Sequence, residues 1–323
     1  MKIILTGASG FIGTNLMSTL IDANHELLNL DISQASNQEH EPYRVNIDIM
    51  DGEALSKSVT DFQPDVFIHL AARTDCDENT TVEEGYQANV EGVENVLEAV
   101  ENCPSIKRLI MTSTQYVCGP GRLPDHDVDY YPHTVYGQSK VETEKLTREA
   151  NLKCDWVLIR PVNIWGPYHE RYSREFWKIA DKGLYLHPGV PSPTRTYGYV
   201  GNVVWQMIQM IKADCATVDR QVFYVGDKPI NIEKWVMGFC KGFRGKKPRV
   251  IPMWMMRIMG KTGDLISKFT GKPFYITSSR LRSMTEDYDA PMDKTFDVFG
   301  EPPYTLKEGI NETVAWYRSN KQT

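Results

Sequence analysis

Short, mainly apolar runs alternate with longer segments of helical periodicity through the first half of the chain. Ile3–Thr6, Glu26–Leu30, Val66–Leu70, Arg108–Thr112 and Trp156–Arg160 read as strands. Between the first two, Phe11–Ala23 carries apolar residues at Phe11, Ile12, Leu16, Leu20 and Ile21, the spacing of one helix face. Tyr86–Val100 and Tyr136–Asn151 read as further helices. Strands that are apolar throughout belong to a sheet covered on both faces, and strands separated by helices belong to a parallel one. The pattern predicts an α/β fold with a doubly wound parallel sheet.

After Arg160 the alternation loosens. His187–Arg195, with three prolines, reads as a loop, Val203–Ile211 as a helix, Gln221–Val225 as a strand and Leu306–Arg318 as a capping helix. This division predicts a cofactor domain over 1–165, to which 196–225 returns, and a smaller C-terminal substrate domain from 166–195 and 226–323.

Composition narrows the class. The chain has 323 residues, 41% hydrophobic and 24% charged, with a net charge of −6. Both signs are mixed and no basic face is evident, so nucleic acid is not an expected partner. Six cysteines without metal-ligand spacing read as reduced thiols, and no metal is implied. The glycine motif follows Met1 too closely for a signal peptide, and no run reaches the roughly 20 apolar residues of a membrane span. The expected compartment is the cytoplasm. Met253-Trp254-Met255-Met256-Arg257-Ile258-Met259 reads first as core or pocket lining, with an interfacial membrane helix as the lesser reading.

Thr6-Gly7-Ala8-Ser9-Gly10-Phe11-Ile12-Gly13 lies between a predicted strand and a predicted helix. Glycines there permit a tight turn, admit a pyrophosphate to the backbone and let helix pack on strand. The helix start then offers unpaired N–H groups to the phosphates. Asp31 ends the second strand, where a carboxylate can accept from adenine ribose hydroxyls and would repel a 2′-phosphate; NAD is favoured over NADP. Tyr136-Gly137-Gln138-Ser139-Lys140 puts a phenol and an ammonium on one helix face. A free phenol titrates near 10 and is a poor base, but a neighbouring ammonium and a positive nicotinamide would lower that value. Tyr136 could then exchange a proton with a substrate hydroxyl while hydride moves to or from the cofactor.

These motifs, in this order, resemble the extended short-chain dehydrogenase/reductase family, of the NAD-dependent epimerase/dehydratase type similar to UDP-galactose 4-epimerase. The glycine spacing is the family's, and the likeness continues through Asn46-Ile47-Asp48-Ile49, His69-Leu70-Ala71-Ala72 and Asn89-Val90-x-Gly92. It extends to Arg160-Pro161-Val162-Asn163-Ile164-Trp165-Gly166-Pro167, where Trp165 replaces a tyrosine. The resemblance implies a Rossmann-type fold and NAD contacts from Gly7, Gly10, Phe11, Ile12, Gly13, Asp31, Asp48, Ile49, Leu70, Ala71, Ala72, Asn89, Tyr136, Lys140 and Pro161. It implies that Thr114 joins Tyr136 and Lys140 in catalysis and orients the reacting oxygen, and that Asn163 and Arg195 hold substrate. Arg280 and Arg282 are weaker candidates for a phosphate. His69, His133, His169 and His187 lie near the expected site, and Cys118 there reads as packing.

Family members that remove water from a sugar carry Asp-Glu after the threonine; here Gln115 and Tyr116 stand there and cannot act as carboxylate bases. The expected reaction is therefore 4-epimerisation of a nucleotide-sugar through a transient keto sugar. Reduction of a keto sugar or another small ketone is the alternative. A dinucleotide sensor without chemistry is the rival of another class, opposed by the presence of Thr114, Tyr136 and Lys140. A homodimer is implied too, with Tyr86–Val100 and Tyr136–Asn151 in a four-helix interface; Val90, Val93, Leu97 and Val100 could serve it or face the sheet.

Overall fold

A computed structural model of the chain describes residues 1–271, 274 and 276–321. Seven strands form its central sheet: β1 (Lys2–Thr6), β2 (Glu26–Leu30), β3 (Arg44–Val45), β4 (Val66–His69), β5 (Arg108–Thr112), β6 (Asp155–Pro161) and β7 (Gln221–Val225). They lie in the order β7-β6-β5-β4-β1-β2-β3, all parallel. The order reverses at β1, so the loops leaving β1 and β4 diverge there and open a crevice at the carboxyl ends of the strands.

Side chains alternate across the sheet. In β1, Ile3 and Leu5 enter one core cluster and Ile4 the other, which is how one strand serves two helical layers. On one face lies α1 (Phe11–Asp22), which contacts α5 (Val200–Lys212). On the other lie α2 (Gly52–Phe62), α3 (Glu91–Glu101) and α4 (Val135–Glu149). Val93, Val96, Leu97 and Val100 of α3 join Phe67, Leu109 and Met111 of the sheet in one cluster. Of the apolar row considered for a dimer, Val93, Leu97 and Val100 therefore face the sheet, while Val90 is half-buried outside that cluster.

The helix expected over Tyr86–Val100 is broken. A turn at Val82–Gly85, a 3-10 turn at Gln87–Asn89 and then α3 replace it. The cause is Asn89, fully buried, whose side chain binds the N–H and C=O of Arg73 (2.8 and 3.1 Å) and the Ser139 hydroxyl (2.9 Å). Those bonds fix the β4 loop to α4 in place of a regular helical turn.

Beyond β6 the chain builds a second, aromatic core, with Trp165, Trp177, Trp235 and Phe239 in mutual ring contact. Its helices include α6 (Ile232–Arg244), α7 (Met253–Thr270), α8 (Ser278–Ser283) and α9 (Leu306–Asn320). The segment 187–195, expected as loop, is strand at both ends: Leu186–Pro188 pairs with Arg249–Ile251, and Thr194–Arg195 with Ile230–Asn231. The stretch expected as core or pocket lining is instead the start of α7, and only Met256, Gly260 and Gly263 of that helix are buried. No helix among the described residues is long and apolar enough to cross a membrane.

Candidate active site

The crevice is a cleft of about 870 Å³. Gly7, Gly10, Phe11, Ile12 and Gly13 line one wall, Asp31, Asp48 and Ile49 one end, and Leu70, Ala71 and Ala72 the floor. Tyr136, Lys140, Pro161 and Asn163 line the other end. Thr114 and Asn89 stand immediately behind that surface, both buried.

The glycine loop has no room for a side chain at Gly7 or Gly13. A Cβ on Gly7, which has φ +72°, would lie 2.5 Å from Ala71 Cα, and one on Gly13 would lie 2.3 Å from Ala8 Cα. The loop is tied down through Ala8 N–H to Asn29 Oδ1 (3.1 Å) and Ser9 N–H to Asp31 Oδ2 (2.9 Å). Asp31 also accepts from Ser33 N–H (2.8 Å), so its carboxylate is aimed before any ribose arrives. No side chain caps α1, and its first turn holds no acid. An uncapped, positively polarised helix start beside side-chain-free backbone suits a diphosphate. These residues fit a dinucleotide.

At the other end Tyr136 is 8% exposed and Lys140 1% exposed. Lys140 Nζ donates to Thr112 O (2.9 Å), and Thr114 is the hydrogen-bond partner of the Tyr136 phenol. Burial lowers the Lys140 ammonium to about 8, against a smaller upward pull from Glu144. The lowering of the tyrosine expected from the sequence needs a positive nicotinamide beside the phenol as well as Lys140. Burial pushes Tyr136 upward, and Cys76, Tyr116 and Tyr86 add to this, while only the Thr114 hydrogen bond works the other way. No lysine or arginine of the chain is among the groups that act on the Tyr136 phenol, so the chain alone does not supply the charge that would offset burial.

Gln115 and Tyr116 both line the cleft beyond Thr114, with no carboxylate in their place. Tyr116 meets Tyr136 edge-on (6.1 Å) and stacks on Tyr288 (6.0 Å). Asn163 is a hydrogen-bond partner of Tyr172 and Tyr197. Arg195 is not part of the lining: its Nε donates to Glu286 O (3.0 Å) and its guanidinium sits 5.9 Å from the Tyr288 ring. Arg280 pairs with Glu175 (2.7 Å) and Arg282 with Glu286 (3.6 Å), also outside the lining. Two guanidiniums line the cleft: Arg73, paired with Asp75 (2.9 Å) and Asp77 (3.1 Å), and Arg171 at the lip, which stands outside the matched motifs. Two bulky residues with positive φ, Cys76 (54°) and Tyr168 (69°), also line the cleft. Backbone held in that region concentrates at ligand sites.

The histidines divide. His69 is buried with Nδ1 2.7 Å from Thr6 Oγ1, and burial lowers it to about 3, so it stays neutral. His169 lines the cleft and caps Tyr172 N–H (3.1 Å); His133 lies against Tyr116 (5.3 Å), and His187 contacts Ser192 (2.9 Å). Burial raises the Cys118 thiol, which contacts Asp129 O (3.4 Å) and the Tyr224 hydroxyl (3.6 Å); it is a packing residue. Gly201 and Asn202, at the start of α5, belong to the packing. Asn202 bonds Asp227 (2.7 Å) and Tyr304 (2.9 and 3.0 Å), and a Cβ at Gly201 would lie 2.5 Å from the Tyr199 ring. Asp155, Cys215 and Asp219 cluster elsewhere, beside the start of β6, where Asp155 already pairs with Arg108 (3.0 Å).

Residues 3–226 match the NAD dependent epimerase/dehydratase family. The chain belongs to that family. Membership makes it an NAD-dependent enzyme rather than a dinucleotide sensor, with the Rossmann-type fold expected. An epimerase/dehydratase of Escherichia coli O157:H7, the N-acetyl-alpha-D-glucosaminyl-diphospho-ditrans,octacis-undecaprenol 4-epimerase, is 29% identical over 98% of this chain and 95% of its own. Among solved epimerases, UDP-glucose 4-epimerase of Thermotoga maritima with UDP-glucose superposes with a TM-score of 0.75 at 21% identity, covering 99% of this chain and 100% of that one. The Thermus thermophilus UDP-glucose 4-epimerase complex with NAD superposes with a TM-score of 0.73 at 21% identity, over 98% and 99% of the two chains.

Proposed function

We propose that the chain is an NAD-dependent 4-epimerase of a diphosphate-linked sugar, with a nucleotide-sugar as the first candidate. The observation that carries this is Tyr136, Lys140 and Thr114 gathered at one end of the cleft, followed by Gln115 and Tyr116 rather than by acids. The site can exchange a proton at an oxygen, but the two positions after Thr114 offer no carboxylate for removing one from carbon or protonating a leaving hydroxyl.

When bound, NAD accepts a hydride from the sugar carbon and returns it, and its positive ring favours phenolate. The glycine loop and α1 would hold its diphosphate, Asp31 the adenine ribose, Asp48 and Ile49 the adenine, and Lys140 the nicotinamide ribose. Leu70, Ala71, Ala72 and Pro161 would bound the rings, with Asn89 fixing the loop beneath them. Tyr136 takes the proton of the 4-hydroxyl as the carbon is oxidised. The keto sugar turns over, and Tyr136 gives the proton back when hydride returns to the opposite face. Thr114 orients the oxygen. Asn163 would anchor substrate, with Arg171 at the lip as a guanidinium partner for the sugar's diphosphate. Residues 1–165 and 196–225 would thus carry cofactor and the remainder substrate.

A lipid carrier is the second reading. It is favoured by the full-length likeness to the O157:H7 enzyme, whose sugar is carried by undecaprenyl diphosphate. Proton NMR of the purified chain with UDP-sugars, and separately with undecaprenyl-diphosphate sugars, tests both. Interconversion of the 4-epimers without net NADH consumption supports the reaction. Stoichiometric NADH oxidation, or inversion of neither substrate, refutes it.

A further inference from the structure

α7 is long, amphipathic and turned outward. Trp254, Ile258, Leu265 and Phe269 follow one another at i, i+4, i+11 and i+15, a single stripe of an α-helix. They are 64%, 58%, 56% and 82% exposed. Val250, Met255 and Phe274 extend the exposed apolar surface around them. Large exposed side chains elsewhere in the chain are scattered; here they are contiguous. A water-soluble surface gains nothing from such a stripe.

The charges beside it are equally uneven. Between Arg244 and Thr270 stand seven basic residues (Arg244, Lys246, Lys247, Arg249, Arg257, Lys261 and Lys268) and one acid, Asp264. The expectation that both signs are mixed throughout fails for this segment, which carries +6 in a chain of net −6. Among the described residues Lys246, Lys247, Arg249, Arg257, Lys261 and Lys268 are exposed and pair with no acid. On the helix, Arg257, Lys261 and Lys268 fall along one edge of the apolar stripe.

We propose that α7, with the basic segment before it, is a docking surface for an anionic lipid bilayer. A helix lying in the membrane interface sinks an apolar, Trp- and Phe-bearing face among acyl chains and sets lysines and arginines against headgroups. A second copy of the chain fits less well, because a symmetric contact would press the +6 segment against its own image. Nucleic acid would use the charges and leave the four apolar side chains in water. Through its opposite, buried face the helix is linked to the cleft. α7 packs on α8, whose Arg280 pairs with Glu175 (2.7 Å), and Glu175 also faces Arg171 (3.8 Å) on the lip.

Flotation of the full-length chain with phosphatidylcholine vesicles, with and without phosphatidylglycerol, tests it without turnover. The wild type floats with the anionic vesicles, severalfold less with neutral ones, and less as salt is raised. Combined replacement Trp254→Ser, Ile258→Ser, Leu265→Ser and Phe269→Ser lowers flotation at least tenfold with the circular dichroism spectrum and NAD binding unchanged. Combined Arg257→Glu, Lys261→Glu and Lys268→Glu removes the preference for phosphatidylglycerol. A wild type that stays at the bottom of the gradient overturns the proposal. So does a dimer, seen by sedimentation velocity, that the serine variant dissolves while vesicles bind neither protein. Epimerisation of a soluble UDP-sugar by the serine variant reads the reaction separately.

Discussion

Glu144 and Arg160 form a two-pronged ion pair in which neither side chain touches solvent. Arg160 Nε and Nη2 each lie 2.8 Å from a Glu144 oxygen, and Ser113 (2.6 Å) and Tyr130 (2.9 Å) complete the carboxylate's shell. Arg160 reaches on to Tyr224 (3.1 Å) and Asp127 O (2.6 Å). Because Ser113 precedes Thr114 and Glu144 lies one turn after Lys140, the pair joins both halves of the proposed catalytic group. Arg160→Met should destabilise the fold by about 3–5 kcal/mol by stranding a buried carboxylate. Urea unfolding checks this, and Arg160→Met with Glu144→Leu should recover much of the loss.

Tyr136→Phe removes only the phenolic oxygen of a buried ring. It should bind NAD as the wild type does and lower kcat by about 10²- to 10⁴-fold. Cofactor retained after gel filtration and NMR of the sugar epimers provide the two readouts; undiminished kcat would remove Tyr136 from the chemistry.

Lys140 carries a stability cost that depends on pH. Its folded-state value is about 8, below the ordinary 10.5, so between those two values the unfolded chain binds more protons and stability rises with pH. The cost is complete below about pH 8. Lys140→Met should therefore stabilise the fold at pH 7 by about 1–3 kcal/mol while abolishing turnover. In paired urea titrations its advantage over the wild type should shrink as pH climbs from 8 toward 10.5.

Gly7→Ala meets two obstacles, a left-handed backbone and Ala71 Cα at 2.5 Å. The opposing atoms are backbone and cannot swing aside. The variant should lose about 1–3 kcal/mol of stability and bind NAD at least tenfold more weakly, measured by thermal unfolding with and without the cofactor.

Much of the cofactor half is legible in the sequence, because continuous apolar strands and glycine spacing are local signals. β2, β5 and β7 begin and end where the pattern puts them. Errors arise where distant partners decide. Asn89 breaks a periodic helix through bonds to Arg73 and Ser139, neither of which periodicity can see. α4 buries Ser139, Lys140, Thr143 and Glu144, a polar face that pattern reading assigns to solvent. Spacing places Lys140 on the face of Tyr136, but the burial that pushes the phenol upward comes from partners distant in sequence. Arg195 sits in a recognisable motif yet turns toward Glu286, while Arg171 carries no motif and reaches the lip.

The uneven charge of 244–270 leaves −12 on the remainder of the chain. An anionic surface would attract that segment while repelling the chain's acidic remainder, turning the molecule before contact. Collisions would be sorted by orientation at a distance of about a Debye length, roughly 10 Å at 0.1 M salt, so that diffusion delivers the chain already facing the right way.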